Sequence, residues 1–318
     1  MRWGILGCAK IALSELVPAI QLARGAELVA LATRTPSRAA PFAELVPGLH
    51  VLDSYDALLE DPEVEAVYIP LPNHLHVPWS RRAAEAGKHV LCEKPIALAA
   101  AEIDELISVR TQTGRLIAEA FMVAHHPQWA LVRDLLASEV IGTLEHVEGS
   151  FTYTNRDMDN IRNKPETGGG GLRDVGVYPC ITARLATGAE PTSLRAEMRL
   201  RNGVDIFARV WADFQGFTMS FYCGMNQTRR QHMLFHGQDG WISLSAPFNG
   251  VVYGDCHVEW QDREGTRHRC GFNTVNQYAL MVENFAQAAR QGAPFACPLE
   301  VSRGNQAMID AIFAAAPA

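Results

Sequence analysis

With 318 residues, 48% of them hydrophobic and 20% charged, the chain has the composition of an ordinary globular protein and enough length for two hydrophobic cores. Its formal net charge is −7, and its 28 lysines and arginines form only short clusters such as Arg229-Arg230 and Arg267-His268-Arg269, which argues against a nucleic-acid partner. A single arginine and the short apolar run from Trp3 to Leu6 do not make a secretory signal, and no run of about 18 apolar residues is present to span a bilayer. Seven scattered cysteines without a C-x-x-C pair read as reduced thiols, so a cytoplasmic protein with no membrane partner is expected.

Short apolar runs at 3–6, 28–32, 51, 66–70, 89–92 and 116–120 predict six strands. Helical patterns alternate with them at 10–23, 37–44, 55–60, 78–86 and 99–113. In the first of these, Ile11, Leu16, Ala19, Ile20 and Ala23 fall on one face. Ser54 is placed to cap the third, and Gly87 and Gly114 to stop the fourth and fifth. Six strand–helix steps predict an α/β fold that begins with a Rossmann domain, a doubly wound parallel sheet over residues 1–120.

From residue 121 the pattern changes to an α+β domain built on a largely antiparallel sheet, expected to run to residue 318 and to hold the substrate and the subunit contact. A helix at 128–138 precedes strands at 144–153, 193–200, 205–214, 217–223, 231–236, 241–244 and 256–260. Arg201-Asn202-Gly203 and Gln215-Gly216 supply hairpin turns, and 276–289 reads as an amphipathic helix. Along 205–214, Ile206, Ala208, Val210, Ala212 and Phe214 share one face. The other still carries Phe207 and Trp211 among Asp205, Arg209 and Asp213, with Tyr222 on the next strand. A sheet face left to water should be more polar than this, so a homodimer or higher homo-oligomer through this sheet is expected, with Trp211 at or near the contact.

The first predicted strand runs into Gly7-Cys8-Ala9-Lys10-Ile11-Ala12, which fits the dinucleotide fingerprint with Gly7 first and Ala9 and Ala12 as its small second and third positions. The turn Gly7, Cys8, Ala9, Lys10 and Ile11 is the expected pyrophosphate contact, since a helix start offers backbone N–H groups to an anion. Roughly 20 residues further, where an acidic residue would bind the ribose of NAD, stand Thr33, Arg34 and Thr35, with Arg38 nearby. Arginine suits a 2′-phosphate by charge and by its forked donors, so NADP is expected in preference to NAD.

Several further segments carry a family resemblance. Gly87-Lys88-His89-Val90-Leu91-Cys92-Glu93-Lys94-Pro95 follows the pattern of the fifth strand and its loop in the Gfo/Idh/MocA oxidoreductases. Pro72-Asn73-His74-Leu75-His76 fits the same family, as do Glu119-Ala120-Phe121-Met122, His126-Pro127-Gln128, Asn160-Ile161-Arg162 and Asn276-Gln277-Tyr278. Gly168-Gly169-Gly170-Gly171-Leu172-Arg173-Asp174-Val175-Gly176-Val177-Tyr178-Pro179 is similar as well. Tyr178 stands where many members have histidine, so the chain resembles the tyrosine branch, which includes glucose–fructose oxidoreductase, NADP-dependent xylose dehydrogenase and dimeric dihydrodiol dehydrogenase. An aromatic–arginine pair common in that branch after Phe-Met is here Val123-Ala124.

Hydride transfer needs a partner that moves the hydroxyl proton, and a tyrosine, with an ordinary pKa near 10, needs a neighbouring cation to serve at neutral pH. Lys94 is expected at the carboxyl end of a parallel strand, where such sheets bind ligands. A helix over 174–186 would put Asp174 and Tyr178 on one face. The resemblance implies that the three meet: Tyr178 as acid/base, Lys94 tuning it and touching the nicotinamide ribose, and Asp174 holding the substrate hydroxyl or Lys94. It also implies that Pro70, Leu71, Asn73, His76, Glu93, Lys94 and Arg162 contact the cofactor, and that the glycine run lets its helix approach cofactor or substrate. The substrate would be a sugar, polyol, diol or small carbonyl compound. An NAD-dependent glycosidase of the same fold and a non-catalytic NADP sensor are the alternatives. The histidine pairs 125/126, 74/76 and 232/236 lack a third ligand at suitable spacing, so no metal site is expected.

Overall fold

The computed structural model describes residues 1–316, with the backbone alone at 251 and 253. Two compact units emerge, one of Met1–His125 with Asn276–Arg303, the other of His126–Val275 with the residues from Gly304 on.

The first unit holds the strands β1 (Arg2–Leu6), β2 (Glu27–Ala32), β3 (His50–Leu52), β4 (Ala66–Ile69), β5 (His89–Cys92) and β6 (Ile117–Glu119). They form one parallel sheet in the order β3-β2-β1-β4-β5-β6, the doubly wound arrangement the alternation predicts. The near-continuous apolar character of β1 and β4 reflects burial on both faces. Its helices are α1 (Val17–Leu22), α2 (Ala40–Leu45), α3 (Tyr55–Glu60), α4 (His76–Glu85) and α5 (Ala100–Thr113). Ser54 caps α3 by accepting the Ala57 N–H at 3.1 Å, and Gly114 ends α5 at a φ of 65°. The helix expected at 10–23 forms, but its stretch Ala12–Leu16 is wound as a π turn before α1.

The second unit contains α6 (Pro127–Ala137), α7 (Val177–Thr187), the short α8 (Gly250–Tyr253) and an eight-stranded sheet. Its strands are β7 (Leu144–Thr154), β8 (Pro191–Arg201), β9 (Val204–Phe214), β10 (Thr218–Gly224), β11 (Asn226–Gly237), β12 (Trp241–Leu244), β13 (His257–Gln261) and β14 (Arg267–Gly271). They are ordered β14-β13-β12-β11-β7-β10-β9-β8. Only β7 and β10 pair in parallel, because the β8–β9–β10 meander brings its third strand back alongside β7. The turn at Asn202 and Gly203 has φ of 52° and 80°, the primed hairpin turn that Asn-Gly favours.

Three features depart from the sequence expectation. Residues 276–303, grouped by sequence with the second domain, fold with the first unit: helix α9 (Gln277–Gln291) brings Phe285 against Trp3, their rings 5.1 Å apart. Strand β14 and the helix α10 (Leu299–Ala315) were not foreseen; the former had read only as a basic cluster. Asp205 does not sit on the outer face of β9. Phe207 pairs with Arg199 and Asp205 with Leu200, leaving Ile206 as an extra residue, and this bulge turns Asp205 inward. The rest of the outer face follows the alternation, but its aromatic rings are not bare. Arg195 lies over Trp211 at 4.6 Å and Arg199 over Phe207 at 4.5 Å.

All seven cysteines are free thiols. Among the described residues no helix is long and apolar enough to cross a membrane, and no group of three or more His, Cys, Asp or Glu side chains is placed to hold a metal ion.

Candidate active site

The fingerprint turn leaves β1 at Gly7, whose φ of 95° belongs to glycine; a Cβ there would meet the Tyr55 hydroxyl at 3.1 Å and Leu71 Cδ2 at 3.2 Å. Cys8, Ala9 and Ile11 are half-buried and Lys10 is exposed, so the start of the helix faces outward. Arg38 donates to the Cys8 carbonyl at 2.9 Å, which ties the second strand's loop to the turn. Arg34 is exposed beside it. Both guanidiniums act on the Tyr55 phenol, although burial prevails and raises its pKa. Thr33 is buried, its N–H bonded to Leu52 and its hydroxyl accepting the Thr35 N–H, so it shapes the loop that presents Arg34. An outward helix start behind a glycine turn suits a dinucleotide diphosphate, and the two neighbouring cations suit a ribose 2′-phosphate.

The loop after β4 contains Pro70 and Leu71, both buried, and half-buried Asn73. His76 lies deeper: its ring spans the carbonyls of Pro95 and Leu71, each at 2.7 Å. Burial pushes its pKa down to about 4, outweighing those two acceptors, so the ring is a neutral strut between two loops. After β5, the Glu93 carboxylate accepts the Tyr68 hydroxyl and, at 3.2 Å, the N–H of Lys94. The Lys94–Pro95 bond is cis, and Lys94 is half-buried. Beyond it Glu119 accepts the Ile96 N–H at 2.9 Å. Burial lifts this carboxyl to about 7 against the bonds from Ser302 and Ile96, which lower it. Tyr68 and Tyr278 are held protonated first by burial and then by the charge of Glu93. The sequence marks Glu119 only within a family pattern and does not mark Tyr68; a polar residue at the end of a buried strand is the available signal.

In the second unit a continuous helix runs through a π turn at Leu172–Gly176 into α7. Asp174 lies within the π turn and Tyr178 in the first turn of α7. Strand β7 contacts both. Tyr153 donates to Asp174 Oδ2 at 2.6 Å, while the Phe151 ring lies 5.2 Å from that of Tyr178. Phe248 closes on the same tyrosine at 5.4 Å. Arg162, expected at the cofactor, here ion-pairs with Asp174 at 2.8 Å. Burial, and then the Asp174 charge, hold the Tyr153 phenol protonated. Within the glycine run, Gly170 is required by the chain itself: its φ is 120°, and a Cβ there would lie 2.2 Å from Asp205 Oδ1. Sequence reasoning missed Tyr153 and the inward turn of Asp205.

Residues 1–121 match the Gfo/Idh/MocA oxidoreductase family with its NAD-binding Rossmann fold, and residues 129–243 match the Gfo/Idh/MocA C-terminal domain. An uncharacterized oxidoreductase of Rhizobium meliloti is 40% identical over 98% of this chain and 96% of its own. The dTDP-3,4-didehydro-2,6-dideoxy-alpha-D-glucose 3-reductase of Actinomadura kijaniata is 35% identical over 92% of this chain and 88% of its own. A 3-ketoreductase from Actinomadura kijaniata, solved with NADP and TDP-benzene, superposes with a TM-score of 0.91 at 33% identity, covering 99% of this chain and 98% of that one. The same ketoreductase has been solved with a tyrosine changed to phenylalanine and with a lysine changed to alanine. The chain thus belongs to the Gfo/Idh/MocA family and is an NAD(P)-dependent dehydrogenase or reductase.

Proposed function

We propose that the chain moves a hydride between NADP and a carbinol or carbonyl carbon of a sugar or nucleotide-linked sugar, with a polyol or diol as the simpler substrate. Tyr178 is the acid/base, Lys94 the cation that favours its phenolate, and Asp174 the group that orients the substrate hydroxyl. Bound nicotinamide supplies the hydride acceptor or donor. In oxidation the carbinol carbon gives up hydride while its hydroxyl proton passes to Tyr178; in reduction Tyr178 returns a proton to the carbonyl oxygen. Asp174 is suited to a fixed role because Tyr153 and Arg162 already hold its carboxylate.

One observation carries the assignment of the pair. The lysine and tyrosine substituted in the solved ketoreductase are as far apart in that chain as Lys94 and Tyr178 are in this one. The choice of NADP rests on Arg34 and Arg38 beside the fingerprint turn, and that ketoreductase was solved with NADP. The test is NADPH absorbance with D-xylose, D-glucose, trans-1,2-cyclohexanediol and a dTDP-linked ketosugar, repeated with Tyr178→Phe. Activity on one of these that survives intact in Tyr178→Phe refutes the assignment.

The outer face of the second unit's sheet is proposed as a homodimer contact. Its half-buried Phe207 and Trp211 sit under arginines whose planar groups can stack against a second copy. Sedimentation at micromolar concentration is expected to show a dimer, and Trp211→Asp to shift it to monomer. A single species at the 34.9 kDa of one chain would remove the dimer.

A further inference from the structure

Asp205 is 2% exposed, and the bulge in β9 that turns it inward has no other evident product. Its Oδ2 accepts the Leu172 N–H at 2.6 Å. Gly170 and Gly171 approach it so closely that a methyl group at either would crowd the carboxylate, at 2.2 Å and 3.3 Å. A buried carboxylate is costly unless it is bonded, and an orphaned helix-start N–H is costly as well, so each satisfies the other. The segment so held is the π turn that carries Asp174 and leads directly into Tyr178.

We propose that Asp205 is a positioning residue: its carboxylate clamps the start of the helix at Leu172 and so sets where Asp174 and Tyr178 stand. Its contribution to turnover rests on the catalytic reading of those two residues; the clamp itself does not. Three neighbours set the surroundings of the carboxylate. Arg173 follows its bonding partner, Gly224 packs against Gly171, and the Cys223 thiol lies beside Gly176, pushed up in pKa first by burial and then by Asp205. The turn is also tied by Gly170 N–H to the Arg162 carbonyl at 3.0 Å and by the Tyr153 and Arg162 contacts to Asp174, and the inward carboxylate adds the bond that holds the N–H of Leu172.

The test compares Asp205→Ala and Asp205→Asn with the wild type by amide hydrogen exchange of residues 168–178, by turnover on the best substrate of the panel above, and by NADPH affinity. Asparagine keeps an oxygen that can accept the Leu172 N–H; alanine does not. Exchange in 168–178 is expected to speed up at least tenfold in Asp205→Ala with β11 and β12 unchanged. Turnover should fall about tenfold or more, KM should move less than threefold, and NADPH affinity should hold. Asp205→Asn should recover exchange and turnover to within about threefold. If Asp205→Ala does not fold, Asp205→Ser, whose hydroxyl stops short of Leu172, is judged by the same criteria. Wild-type exchange in 168–178, or an asparagine variant as impaired as alanine, overturns the proposal. A fully active Tyr178→Phe alongside faster exchange in Asp205→Ala would instead remove the catalytic reading and keep the clamp.

Discussion

The helix after the fingerprint turn in the first unit and the helix after the glycine run in the second are built alike. Each is wound as a π turn, Ala12–Leu16 in one and Leu172–Gly176 in the other, and each then meets a proline, Pro18 or Pro179. Proline has no N–H to return to the residue four before it, so the preceding winding relaxes. Val17 accordingly bonds to the Ala12 carbonyl and Val177 to that of Leu172. The two starts then diverge. The first opens outward with Arg38 fastened to Cys8, an arrangement that invites an anion from outside. The second is filled from within by the Asp205 carboxylate. The same helix start is thus a ligand site when its neighbours are cations, and a structural joint when the chain supplies its own anion.

The largest expected effect tests whether Lys94 of the first unit and Tyr178, beyond the second helix start, serve one reaction. Tyr178→Phe should lower turnover by roughly 10²–10⁴ with NADPH binding nearly unchanged, the range of general acid–base catalysis. Lys94→Ala should lose turnover too and weaken cofactor binding. Groups that act together are not additive, so the double variant should be little worse than the worse single one. Multiplicative losses would show the two residues to act separately.

The first unit was legible almost element by element, because a parallel sheet buried on both faces writes itself as short apolar runs between helical ones. The strand at β3 was read from Val51 alone and still found its place. The second unit's strands other than β14 are legible from alternation, and its hairpin turn from Asn202-Gly203. What alternation cannot register is a bulge. One extra residue at Ile206 reverses the parity of Asp205, and nothing in the string Val204-Asp205-Ile206-Phe207 marks it. The π turns were hidden for a similar reason, since both helical periods place apolar residues plausibly over a single turn. Pro18 and Pro179 were the only traces. Tyr153 was out of reach because its partner Asp174 is 21 residues away, and long-range pairs of polar groups leave no local pattern.

A second comparison sets Glu119 beside Asp205, two buried carboxyls that each hold a backbone N–H in the loops of the candidate site, Ile96 at 2.9 Å and Leu172 at 2.6 Å. Burial raises both to about 7. A folded value above the unfolded carboxylate value of about 4 means the folded chain binds more protons between those limits. The stability these groups carry is therefore fullest below about pH 4 and declines as pH rises toward 7. His76, His125 and His126, depressed by burial to about 4, work oppositely. What they contribute is present above about pH 6.5 and is lost as pH falls toward 4. Glu119→Gln keeps an acceptor for Ile96 but cannot ionise, so it should gain on the wild type as pH rises from about 5 to about 8, by at most about 3 kcal/mol. Denaturant melts at the two pH values measure this. A difference between the proteins that does not change with pH would show that Glu119 does not titrate in that interval.

The smallest effect sharpens the contrast between an outward and a filled helix start. Arg34 is exposed and Arg38 is exposed but bonded to Cys8, so the two should fail differently. Arg34→Ala removes a cation from the loop without loosening the turn; it should weaken NADPH about tenfold and leave NADH nearly untouched, since a charge-assisted bond to phosphate contributes roughly 1.5–3 kcal/mol and solvent screens part of it. Arg38→Ala removes the tie to the Cys8 carbonyl as well, so it should weaken both coenzymes. Fluorescence titration with NADPH and NADH resolves the two patterns, and the Arg34 effect should shrink as salt is raised. Equal dissociation constants for the two coenzymes in the wild type would mean that the arginines beside the turn do not read the 2′-phosphate, leaving the outward helix start to bind the diphosphate they share.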